Sequence, residues 1–131
     1  MLRTLLIALL VATVRPALAA DEPEAVYAKF HQATLSADMA GLRRYGTASG
    51  GADLDKMPPD AARQMLQFMA QLMPKTYKVM GKSIEPGGER ALLQLVGEQK
   101  NSSGQVENVP GKITLVKEKG EWKVDEVNWG K

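Results

Sequence analysis

The spacing of apolar residues changes once along this chain, near Lys75. Before it, from Asp21, they recur at helical intervals; after it they alternate or run together as in strands. Asp21-Glu22-Pro23-Glu24 reads as a helix start, with Asp21 and Glu24 placed to cap each other's backbone N–H groups. Val26, Phe30 and Ala33 then mark one buried face. Ser36-Ala37-Asp38 breaks the pattern and offers a second cap, and Met39, Leu42 and Tyr45 continue a short helix that Gly46 can end. Thr47 to Asp55 is polar and glycine-containing, which predicts a loop. Pro58-Pro59-Asp60 opens a third helix, proline being tolerated in a first turn. Its stripe is Met65, Leu66, Met69, Leu72 and Met73, and Pro74 stops it.

Tyr77 to Glu85 reads as the first strand, with a bulge or close packing at Gly81. Pro86-Gly87-Gly88 is a turn, Arg90 to Gly97 the second strand, and Asn101-Ser102-Ser103-Gly104 the next turn. Gln105 to Val109 begins a third strand that Pro110-Gly111 is expected to interrupt and Lys112 to Lys119 to complete. After Lys119-Gly120 the chain returns as Glu121 to Trp129. In this last strand Trp122 and Val124 share one phase, Val127 and Trp129 the other. A bulge near Asp125-Glu126 would bring all four to one side and bend the strand. The expected fold class is therefore α+β: three N-terminal helices packed on a strongly curved four-stranded antiparallel sheet. The nearly continuous runs Ala91 to Val96 and Ile113 to Val116 are typical of strands covered on both faces. Helices can cover only one, so a homodimer through Leu92, Val96, Thr114 and Val116 is expected on the other.

The first twenty residues follow a different logic. Arg3 precedes an apolar run from Leu5 to Val14, Pro16 breaks it, and Ala17-Leu18-Ala19 supplies small residues for a signal peptidase. A mainly apolar run of this length is too short to span a bilayer, which takes about 20 residues. This predicts a secretory signal over residues 1–20, cleaved near Ala19-Ala20, and one domain over 21–131 in the periplasm or secreted. It is not expected to span the membrane. The precursor carries 17 basic and 15 acidic residues. Losing Arg3 and Arg15 balances the two signs, which removes the basic footprint of a nucleic-acid binder. With no cysteine, a hydrophobic core alone must hold about 112 residues, a size that buries roughly two-thirds of its unfolded surface.

Pro23-Glu24-Ala25-Val26-Tyr27-Ala28-Lys29-Phe30 and Ser36-Ala37-Asp38-Met39-Ala40-Gly41-Leu42 resemble the opening of nuclear transport factor 2-like (NTF2-like) domains. The stretch from Leu115 to Asp125 resembles the closing hairpin of a small exported bacterial group, DUF4878-like. The resemblance implies a curved sheet wrapped against three helices as a cone with an open pocket. It also implies that function varies: some relatives are ketosteroid isomerases or scytalone dehydratases, others bind ligands or proteins.

Candidate chemistry is sparse. Catalysis of the isomerase or dehydratase kind needs a cavity carboxylate or histidine, for which His31 and Asp38 are the candidates. The Met65, Met69, Met73 stripe has the softness Cu(I) prefers, but the same positions with Leu66 and Leu72 make an ordinary core stripe. One histidine and no cysteine argue against zinc or catalytic iron, and no cofactor is expected. The expected function is a non-catalytic, exported binding or interaction domain of the cell envelope. Its pocket, lined by Tyr27, His31, Tyr45, Met69, Trp122 and Trp129, would take a small apolar ligand or a segment of an envelope protein. The alternatives are an enzyme using His31 or Asp38 and a protein-interaction or homodimerisation module using the outer sheet face.

Overall fold

The computed structural model describes residues 21–130; the expected signal segment, residues 1–20, lies outside the described residues. Four helices precede the sheet: α1 (Pro23–Leu35), α2 (Met39–Tyr45), α3 (Ala48–Asp55) and α4 (Pro59–Leu72). The strands are β1 (Thr76–Ile84), β2 (Arg90–Lys100), β3 (Val106–Glu118) and β4 (Glu121–Trp129), antiparallel neighbours in chain order. The architecture is α+β with a four-stranded antiparallel sheet, as the change of period predicts, but with four helices in place of three.

The additional helix is α3, in the segment expected to be a loop. Gly50 and Gly51 are poor helix formers, yet both ends of the segment are held. The Thr47 hydroxyl accepts from the Gly50 N–H at 3.2 Å, and the Glu118 carboxylate accepts from the Ala48 N–H at 2.8 Å. Arg43 pairs with Asp55 at the far end. Satisfying the first-turn donors of a helix in this way offsets weak propensity. At α1 the expected mutual cap is replaced by other pairings: Asp21 binds Lys29 and Glu24 binds Lys82, while Pro23 sits in the first turn. Asp38 does cap α2, accepting from Gly41 at 3.1 Å. Gly46 then ends α2, where a Cβ would stand 2.7 Å from the Leu42 carbonyl oxygen.

Both anticipated bulges are present. In β1 the register shifts between Val79 and Gly81, leaving Met80 extra. In β4, Thr114 pairs with Glu126 and Leu115 with Val124, so Asp125 is the extra residue. Trp122, Val124, Val127 and Trp129 consequently all pack into the core between sheet and helices. Each bulge bends its strand. Pro110-Gly111 does not interrupt β3, which pairs with β2 residue for residue from Val106 to Val116. The Pro110 carbonyl accepts from Gly130 at 2.8 Å. A residue's N–H and C=O point to the same side of a strand, so the donor that proline lacks faces the end of β4 and no β2 bond is lost.

The main core is one face of this sheet closed by α1. Ala91, Leu93, Leu95, Ile113 and Leu115 alternate with outward residues and meet Val26 and Tyr27. A second cluster joins the helices, with Ala33, Leu42 and Leu66 buried together. Leu92, Val96, Thr114 and Val116 share the opposite sheet face, each half-buried.

Candidate functional site

Helix α4 packs chiefly on α1, not on the sheet. Between α4, α3, α1 and β4 lies an open cavity of about 480 Å³, within the roughly 300–1,000 Å³ usual for small-molecule sites. Its walls are Tyr27, Phe30 and Thr34 of α1; Gly50, Gly51 and Leu54 of α3; Met65, Met69, Leu72 and Met73 from α4 and its C-terminal end; and Val124, Asp125, Val127 and Trp129 of β4. The methionine stripe of α4 thus does not pack as core. Ala62 and Leu66 are its buried anchors, Met65 and Met73 are half-buried, and Met69 is 45% exposed beside Phe68 at 62% and Leu72 at 59%. The sequence period identifies the apolar face of the helix correctly, but only part of that face meets protein.

The end of β4 reaches the cavity because the Asp125 bulge re-aims it and because β2 and β3 leave room for its indole. At Gly111 a Cβ would lie 2.6 Å from the Trp129 ring, and at Gly97 a Cβ would lie 2.5 Å from Pro74 and 3.0 Å from the same ring. Real Cβ atoms do not approach that closely, so glycine at both positions is what lets Trp129 lie flat across the sheet.

The polar groups of the wall are mostly engaged. The Thr34 hydroxyl donates to the Phe30 carbonyl at 3.0 Å, and the Thr47 hydroxyl is held by the α3 cap. The Tyr27 hydroxyl and the Trp129 indole N–H are sealed from water, and neither has a hydrogen-bond partner among the described residues. The two are near enough for the indole to pull the phenol's pKa down slightly, against a much larger upward push from burial. Among the described residues Asp125 is the one charged residue in the wall. Among the described residues it joins no ion pair.

Behind the wall stands an aromatic group that connects α1, β1 and β4. His31 stacks on Tyr77 with ring centroids 4.9 Å apart; Tyr27 lies 5.7 Å from His31 and 5.3 Å from Tyr77; Trp129 lies 6.3 Å from Tyr77. His31 is 2% exposed, and neither ring nitrogen has a partner among the described residues. Burial penalises its charged form and lowers its pKa, and burial raises that of Tyr77.

The structure therefore divides the expected site. Tyr27, Met69 and Trp129 line the cavity, while His31 sits behind it. Tyr45 and Trp122 line a separate hollow of about 60 Å³ with Arg44 and Glu121. Asp38 is exposed and occupied as a helix cap. Neither candidate base lines the cavity. Phe30, Leu54 and Asp125 were missed as wall residues; for Asp125 the phase change in β4 was the available signal. Among the described residues no group of three or more His, Asp or Glu stands together to hold a metal ion, and no helix is long and apolar enough to cross a membrane.

No family model and no curated protein matches this chain. Solved structures do, by shape. A SEC-C motif containing protein from Rhodopseudomonas palustris is similar at 18% identity over 84% of this chain and 78% of the other, with TM-score 0.58. The intermembrane space region of the chloroplast protein ARC6 is similar at 14% identity over 81% of this chain and 92% of the other, with TM-score 0.54. A designed NTF2-like protein is similar at 16% identity over 82% and 95%, with TM-score 0.50. At such identities the likeness is one of fold alone: a helix-covered antiparallel sheet with an NTF2-like neighbour.

Proposed function

We propose that this protein is an exported, non-catalytic binding domain of the cell envelope, akin to the small DUF4878-like group, that holds a small apolar molecule in the α3–α4 cavity. The supporting observation is that cavity: about 480 Å³ walled by methionine, leucine, valine and aromatic side chains, with Asp125 as the one charged residue among the described residues that line it. An apolar guest would gain about 25 cal/mol for each Å² of apolar surface removed from water there. Export rests on the Arg3 to Ala20 pattern. The reading is non-catalytic because His31 and Asp38 lie outside the cavity wall.

The test combines native mass spectrometry of protein recovered from its own compartment with titration of a neutral fluorescent probe, N-phenyl-1-naphthylamine. The expected results are a retained small molecule and a saturable rise in probe emission, abolished when Met69→Trp fills the mouth. An unfilled protein that also fails to bind the probe would reject the proposal. The same mass measurement reads the oligomeric state and so tests the homodimer expected through Leu92, Val96, Thr114 and Val116.

A further inference from the structure

We infer that the guest of this cavity is an organic cation, an amine with an apolar body, and that Asp125 is its counterion; the inference rests on the binding reading above. It follows from what the wall can offer. The hydroxyls of Thr34 and Thr47 are held by local hydrogen bonds, and the first backbone N–H groups of the α3 glycine segment are used by Thr47. The polar atoms of Tyr27 and Trp129 are closed to water, so a guest meets those residues as ring surface. What remains is thioether, aliphatic carbon, three aromatic side chains (Tyr27, Phe30, Trp129) and one carboxylate.

Such a wall selects by charge. Among the described residues no lysine or arginine lines it, so an anionic head, such as that of a fatty acid, would find no counterion there and would be repelled by Asp125. An ammonium head finds the carboxylate, and aromatic faces are attractive to cations. The bulge makes this possible. In a regular strand Asp125 would point to the face opposite Val124; as the extra residue in β4 it lines the cavity beside Val124. Bulges that re-aim a side chain recur beside binding sites. With no ion pair of its own among the described residues, Asp125 is free to take a guest.

The experiment is competition against N-phenyl-1-naphthylamine by three ten-carbon ligands at pH 7: decylamine, decanol and decanoate. In the wild-type protein decylamine should displace the probe at about tenfold lower concentration than decanol, with decanoate weakest. Asp125→Asn should bring amine and alcohol within about twofold of each other, and because the residue is exposed its melting temperature should stay close to that of the wild type. Asp125→Lys should invert the order and favour decanoate. If the probe does not bind the wild-type protein, the cavity reading fails and this inference with it. If the probe binds but the three ligands rank equally, or decanoate leads, the cavity reading stands and the cation is overturned. An amine preference that survives in Asp125→Asn overturns the role of Asp125.

Discussion

Where α1 crosses the sheet, Tyr27, Leu93, Ile113 and Leu115 show no exposed surface at all. Where α3 and α4 face the end of β4, the same sheet face stands off from its helices, and the largest side chains of α4 turn outward. The two ends share one sheet, and both are lined mainly by apolar side chains. What separates them is residue type. The closed end uses β-branched and leucine side chains, while the open end uses methionine on α4 and glycine on α3. Methionine adapts to whatever fills the space beside it, and glycine lets a backbone approach. Close packing lies at one end and the cavity at the other.

The largest effect should come from removing the residue that joins the two ends. Trp129→Ala takes away the ring that packs against the main core and also lines the cavity. The expected loss is on the order of 3–5 kcal/mol, the scale of truncating a buried tryptophan, read from urea denaturation. Next, Leu93→Ala at the closed end should cost about 2–5 kcal/mol, whereas Met69→Ala at the open end should cost less than about 1 kcal/mol. Equal losses would erase the distinction between the ends. Gly111→Ala, which drives a Cβ into the Trp129 ring, should cost about 1–3 kcal/mol by overpacking. Trp129→Leu in the same chain should recover part of that loss.

Smaller effects come from the aromatic group between the ends. The pKa of His31 is lowered in the folded chain, so the unfolded chain binds more protons between that value and the ordinary one near 6.5. Stability should be full above about pH 6.5 and fall as pH drops through the interval, by at most about 1.4 kcal/mol per pH unit for one proton. His31→Phe should flatten this slope in urea midpoints taken from pH 7.5 to 5. The smallest change is Tyr27→Phe, which deletes a hydroxyl with no partner among the described residues. Melting temperature should hold or rise, because such a group costs about 1–3 kcal/mol when left unsatisfied.

Much of the closed end is legible in the sequence, because alternation in β2 and β3 and the phase change in β4 are local patterns. The caps at Asp38 and the turn at Lys119-Gly120, both residues at positive φ, are legible for the same reason. The open end is harder to read. Nothing near Gly50 announces that Glu118, seventy residues away, will hold the first turn of α3. Nor does the stripe of α4 say which of its apolar residues will find protein: a period reports a face, not what lies against it. Pro110 misleads because its effect depends on which neighbour its missing donor would have served.

The course of β4 has one further consequence. It carries the chain's two indoles to different places, Trp122 beneath the Lys117 ammonium at 5.0 Å and Trp129 against the cavity. Ultraviolet emission can therefore be divided by position. With Trp122→Phe the remaining signal reports occupancy, and with Trp129→Phe it reports the integrity of the far hairpin. One strand supplies two independent optical gauges without any label.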